Sequence, residues 1–118
     1  MSQREGFRLR PSLDRRGPVP QAPAFRPTVS VVIANYNYAR FLRESIGSAL
    51  SQAGVDVEVI VVDDLSTDRS VAVAGSIAAA EPRVRLIERP ANGGPVAAFN
   101  DGLDAATGEY LIRLDADD

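Results

Sequence analysis

Four short apolar runs, the first rich in β-branched residues, alternate along this chain with stretches of helical periodicity. The first run is Val29-Ser30-Val31-Val32-Ile33-Ala34, the second covers 57–62, the third Val84–Glu88 and the fourth Glu109–Leu114. A run with no polar face reads as a strand covered on both sides. Between the first two runs the spacing predicts a helix over about 40–52, with Phe41, Leu42, Ser45, Ile46, Ala49 and Leu50 as its inward stripe and Gly54 as its stop. A second helix is predicted from Ser66 or Thr67 to about Ala80, with Val71, Ala74, Ile77 and Ala78 inward and Pro82 beyond its end. A third opens at Gly93-Gly94-Pro95, where proline suits the first helical position, and stops at Gly108. Its expected buried face is Val96, Phe99, Leu103 and Ala106. The order β-α-β-α-β-α-β implies an α/β fold: a mostly parallel sheet with helices on both faces and right-handed crossovers.

The chain has 118 residues, enough for one domain, and 45% of them are hydrophobic, which supports a core. Residues 1–27 differ from the rest. They hold six arginines against two acids, and five prolines without apolar periodicity. They read as a disordered leader, with order starting near Thr28 and one domain over 28–118. A basic leader could touch anionic lipid, which would give peripheral membrane association, or nucleic acid; a solvated leader is the plainer reading. The remainder carries seven arginines against 14 acids, which argues against nucleic acid as a partner of the domain. No stretch approaches the ~20 apolar residues of a membrane span, and the start lacks the apolar core of a secretory signal. The absence of cysteine fits a reducing compartment, so the expected location is the cytoplasm, at most against the inner face of the membrane. The chain also lacks histidine and lysine. A metal ion would therefore sit on oxygen ligands, as Mg²⁺ or Mn²⁺ does and structural Zn²⁺ does not.

The polar residues that could carry chemistry fall at the C-terminal ends of the four strands. They are Asn35-Tyr36-Asn37-Tyr38, Asp63-Asp64-Leu65-Ser66, Asn92-Gly93-Gly94 and Asp115-Ala116-Asp117-Asp118. Ligands of parallel α/β sheets bind outside the carboxyl ends of the strands, so one rule puts all four clusters on one rim. Asp115 and Asp117 are two apart in an extended segment and can converge, with Asp118 in the following turn. Three close carboxylates repel unless a cation lies among them; a solvated acidic loop is the bland alternative. Asp64 either caps the next helix or accepts a hydrogen bond from a ligand N–H such as a pyrimidine imide. Tyr36 is either a surface aromatic or a face for a stacked base. Asn92-Gly93-Gly94 is either a plain turn or a close backbone approach to a ligand.

In combination these blocks are distinctive. The segments VSVVIANYNYARFLRESIGSALSQ, VEVIVVDDLSTDRS and NGGPVAAFNDGLDAATGEYLIRLDADD resemble the N-terminal part of family 2 glycosyltransferases, over about residues 28–118. The resemblance implies a GT-A fold, that is, a Rossmann-like nucleotide-binding half, incomplete at its C-terminus. It implies transfer of a sugar from a nucleotide diphosphate donor, often UDP-linked, to an acceptor hydroxyl, generally with inversion. By position, Ala34 and Tyr36 match residues lining the nucleobase pocket, and Asp64 matches the carboxylate that reads the uracil imide, with Asp63 the weaker of that pair. Asn92, Gly93 and Gly94 match the loop beside the nucleotide. Asp117 matches a carboxylate near the ribose, Asp118 the direct metal ligand, and Asp115 completes the Asp-x-Asp pattern. The implied cofactor is Mg²⁺ or Mn²⁺ and the implied partner a nucleotide-sugar donor. The acceptor, a sugar or a lipid-linked acceptor, and the oligomeric state are not indicated. Two departures stand out: Ala34-Asn35 replaces a common Pro-Thr or Pro-Ala, and Phe99 stands where an arginine commonly precedes the asparagine of the third helix. The family's acceptor-binding half and catalytic base are expected beyond Asp118.

Rival classes fit less well. A dinucleotide module needs G-x-G-x-x-G after the first strand, and a P-loop needs a lysine. A receiver domain would carry its acidic pair after strand one. The remaining alternative is a noncatalytic nucleotide-binding fragment.

Overall fold

The computed structural model describes residues 26–116. The leader up to residue 25 and the acidic residues Asp117 and Asp118 lie outside the described residues. Seven elements follow in the expected order: β1 Thr28–Asn35, α1 Ala39–Leu50, β2 Asp56–Asp63, α2 Ser70–Ala80, β3 Val84–Glu88, α3 Pro95–Ala105 and β4 Tyr110–Asp115. The strands form one parallel sheet in the order β3-β2-β1-β4. The register is tight where the site will form: Asn35 pairs with Asp63 across β1 and β2, and Ala34 pairs with Asp115 across β1 and β4.

The pleat sorts the apolar runs into two cores. Val29, Val31, Ile33, Val57, Val59 and Val61 point to one face and pack with Leu42, Ile46 and Ala49 of α1 and Ala74 of α2. Val32, Ile60 and Val62 point to the other face and pack with Ala98 of α3. Helices therefore cover both faces, which is why both sides of β1 and β2 had to be apolar.

The expected face of α3 is wrong. Val96 and Leu103 are exposed, and the buried positions are Ala98 and Gly102. Close approach decides this: a Cβ built on Gly102 would stand 2.3 Å from Val32 Cγ1. Small residues let the helix axis lie against the sheet, and larger apolar side chains are turned outward. Phe99 and Ala106 still pack at the margin of that core. α2 starts later than expected, at Ser70, and turns Val73 rather than Val71 onto the core, beside Ala74, Ile77 and Ala78. The delayed start reflects Asp68, whose Oδ1 accepts the Ser70 N–H and caps the helix from two residues upstream.

β4 is an edge strand, and Tyr110, Leu111 and Ile112 are exposed on it. Its C-terminal end is nonetheless anchored, because Ser45 Oγ of α1 donates to Ala116 O at 2.6 Å and Ala116 N donates to Ala34 O. Among the described residues no helix is long and apolar enough to cross a membrane.

Candidate functional site

Strand order explains where a ligand can enter. The chain moves from β1 outward through β2 to β3, then returns to the other side of β1 for β4. α1, after β1, lies on one face, and α3, before β4, lies on the other. The two connections part at the C-terminal ends of β1 and β4 and leave a crevice there, the usual ligand site of such sheets. A cleft of about 490 Å³ occupies that place, within the range of small-molecule sites. Its walls include Ala34, Asn35, Tyr36 and Tyr38 after β1, Asp64 after β2, Asn92, Gly94, Pro95 and Ala98 at the start of α3, and Arg113, Asp115 and Ala116 on β4.

Most of the sequence-derived residues thus meet. Ala34, Tyr36, Asp64, Asn92, Gly94 and Asp115 line one cleft. Tyr36 is 45% exposed, which leaves its ring available to a planar ligand. Asp63 and Gly93 do not line the cleft. Asp63 is buried and holds the turn after β2: it accepts from Ser66 N at 2.8 Å, from Ser66 Oγ at 2.6 Å and from Asn35 Nδ2 at 3.0 Å. Asn35 Oδ1 is the one buried side-chain polar atom without a hydrogen-bond partner among the described residues.

The turns after β1 and β2 are stitched together, which fixes the Tyr36 backbone beside the cleft. Asn37 adopts a φ of 59°, a conformation asparagine tolerates better than most residues, and its Oδ1 accepts from Thr67 N and Asp68 N. Asp68 Oδ2 in turn accepts from Ala39 N, the first residue of α1. Burial alone would raise the Asp68 carboxyl. The Ser70 hydroxyl and the Ala39 N–H outweigh it, so its pKa lies below the ordinary value.

Asp64 is the organising carboxylate. It is 3% exposed, and it accepts from Arg89 Nη1 at 2.7 Å and Gly93 N at 3.0 Å on Oδ1, and from Gly94 N at 2.7 Å on Oδ2. It does not cap α2, the helix that follows it, as the plainer sequence reading had it; it holds the two glycine N–H groups that lead into α3. A carboxylate offers about four acceptor positions, so three internal bonds leave one on Oδ2. Burial by itself would raise the Asp64 carboxyl. The Gly93 N–H, the Arg89 guanidinium and the Gly94 N–H more than reverse this, and the group stays ionised below the usual carboxylate range.

Arg89 and Asp101 escaped the sequence reading. Arg89 Nε donates to Asp101 Oδ2 at 2.7 Å while Nη1 serves Asp64 and Ala91 O, so one guanidinium ties the β2 loop, the β3 loop and α3 together. A Cβ on Gly93 would lie 2.6 Å from Arg89 Nη1 and displace that guanidinium, and Gly94 has a φ of 91°, a conformation that favours glycine. Asn92 Nδ2 donates to Asp64 O and closes the loop. A lone arginine just past β3 was the available signal, but no motif marks it.

For a metal, the described part of the acidic motif offers Asp115. Its side chain is half exposed on the cleft wall, with Arg113 Nη2 3.9 Å away. Among the described residues no group of three or more carboxylate, histidine or cysteine ligands assembles. The donor type fits a hard divalent cation, since the cleft presents carboxylate oxygen and neither imidazole nor thiolate.

Sheet order, helix placement and rim cleft together define a GT-A-type α/β domain, the nucleotide-binding architecture of glycosyltransferases. The chain belongs to glycosyl transferase family 2, whose family model matches residues 30–118. The succinoglycan biosynthesis protein ExoO of Rhizobium meliloti is 48% identical over 92 residues, 78% of this chain and 26% of that protein. Among solved structures, the mannosyltransferase PcManGT from Pyrobaculum calidifontis, in complex with GDP-Man and Mn²⁺, superposes with a TM-score of 0.72 at 33% identity. That match covers 84% of this chain and 30% of the mannosyltransferase. The S. aureus TarS fragment 1–349 in complex with UDP-GlcNAc gives a TM-score of 0.69 at 29% identity, over 76% of this chain and 26% of that one. The chain spans 37% of a Haemophilus influenzae glycosyltransferase and 26% of the succinoglycan protein, so it corresponds to a minor part of its relatives' length.

Proposed function

We propose that this chain supplies the nucleotide-sugar donor site of a glycosyltransferase, with a divalent metal at its acidic motif. The observation that carries this reading is the convergence of Tyr36, Asp64 and Asp115 on one cleft at the strand-order switch. The base would stack on Tyr36, and the remaining acceptor position of Asp64 Oδ2 would take an N–H from its edge. An imide of uracil or thymine offers one such N–H, and guanine offers N–H donors as well. UDP is the donor nucleotide we favour, in keeping with the TarS complex, and the GDP-Man complex of the mannosyltransferase makes GDP the comparison to run.

Asp115, with Asp117 and Asp118 beyond it, would hold Mn²⁺ or Mg²⁺. When bound, such an ion stabilises the negative charge that develops on the departing nucleotide diphosphate. The rest of the chain's part is positioning: the Asp63 and Asp64 networks hold the base end, and the Ser45–Ala116 bond holds the acidic end. Deprotonation of the acceptor hydroxyl, for inverting attack, is assigned to a carboxylate outside this chain.

Isothermal titration of UDP and GDP into the full chain, with Mn²⁺ and then with EDTA, tests the reading. Binding that weakens at least tenfold on metal removal supports it. Absence of binding by the folded chain, or binding indifferent to EDTA, contradicts it.

A further inference from the structure

Two acidic groups, Asp64 and Asp115, line the cleft, and Arg89 neutralises only the first from behind the wall. A diphosphate carries more negative charge than one divalent ion offsets beside these carboxylates, so a cationic side chain on the wall would add to the metal's share. Arg113 is the one cationic side chain among the described residues lining the cleft. It sits two residues before Asp115 on the same face of β4, one pleat below the rim. Its guanidinium lies over the Phe99 ring, 5.4 Å from the centroid, and its side chain is 46% exposed. It donates no hydrogen bond to any described residue; its charged neighbour is Asp115 at 3.9 Å.

We infer that Arg113, seated over the Phe99 ring, is a diphosphate-binding cation of the cleft. A guanidinium drawn to a ring face by a cation–π contact has less freedom to lose when it binds an anion. That fork matches two oxygens of a phosphate, which an ammonium cannot do in the same way. The apolar ring at Phe99 thus serves the cleft by orienting a charge that arrives from the neighbouring strand. This inference rests on the donor-site reading and assigns one contact within it.

The test is a titration series on the full chain in Mn²⁺, with uridine, UMP and UDP, and with the guanosine set in parallel. Arg113→Gln should weaken UDP or GDP binding about 10- to 100-fold, the scale of a charge-assisted contact, and leave the nucleoside within about twofold. Arg113→Lys should recover part of the loss, and Phe99→Leu should weaken the diphosphate with the nucleoside unchanged. Circular dichroism melts establish that the variants fold, and Phe99→Leu carries the test if Arg113→Gln does not. Unchanged diphosphate affinity in a folded variant overturns the inference while leaving the donor site standing. Equal loss of nucleoside and diphosphate also overturns it, by showing that Arg113 only shapes the base pocket. A wild-type chain that binds neither nucleotide set removes the donor-site reading and this inference together.

Discussion

Arg89 Nη1 donates to Asp64 Oδ1 at 2.7 Å, joining two loops that follow different strands. The same oxygen accepts Gly93 N, so the ion pair and the start of α3 form one unit. Arg89→Met keeps the stem and removes the charge. It should lower the melting temperature by about 5 °C, loosen residues 91–94 and weaken nucleotide binding, measured by thermal melts and by amide exchange over that loop. An unchanged melt with unchanged exchange would show that the glycine N–H groups alone suffice.

Removing the carboxylate is expected to be worse than removing its partner. Asp64→Ala removes the acceptor of the half-buried Gly93 and Gly94 N–H bonds and leaves Arg89 without one of its two carboxylate partners. A loss of about 3 kcal/mol in urea unfolding is expected. A loss under about 1 kcal/mol would mean that water replaces the carboxylate without difficulty.

Acid should unfold this domain through named groups. Asp64, Asp68 and Glu58 all have folded pKa values below their ordinary values. In each, burial acts upward and hydrogen bonds act downward more strongly; for Glu58 the bonds come first from Ser30 and Thr107. The unfolded chain then binds more protons than the native one as pH falls past the ordinary carboxylate range, about 4. Their stabilisation is therefore complete above about pH 5 and is lost as pH drops through the lowered folded values. Urea midpoints from pH 7 down to 2.5 should fall mainly below pH 5, and Asp64→Asn should flatten that fall.

Gly102 is held by contact. Gly102→Ala adds helix propensity of up to about 1 kcal/mol, yet the new Cβ would collide with Val32 Cγ1. A net loss of about 1–2 kcal/mol is expected in chemical unfolding. A stabilised variant would mean that α3 can move off the sheet at no cost.

Much of the fold was readable because the strand runs are apolar on both faces and the breaks carry Gly, Pro and Asp. The rim followed from alternation alone, since parallel strands put every C-terminal end on one side. The face of α3 was misread because apolarity is a poor guide where backbone distance decides; Ala98 and Gly102 are buried by being small, and Val96 and Leu103 are excluded by being large. The roles within the acidic pair were also inaccessible. One residue along β2 separates Asp63, turned into its own loop, from Asp64, turned toward α3, and only the partners distinguish them. Arg89 and Asp101 carry no motif; they matter through neighbours 12 to 25 residues away, and Arg113 likewise meets Phe99 of α3 only in the fold.

The central claim is that the rim cleft holds a nucleoside diphosphate, and a ¹⁵N–¹H correlation titration of the full chain with UDP and Mg²⁺ tests it directly. The expected result is saturable shifts confined to amides of Tyr36, Asp64, Gly93, Gly94, Asp115 and Ala116. Shifts confined to the opposite end of the sheet, around Ser30, Glu58, Thr107 and Gly108, or no shifts in a well-dispersed spectrum, would contradict it.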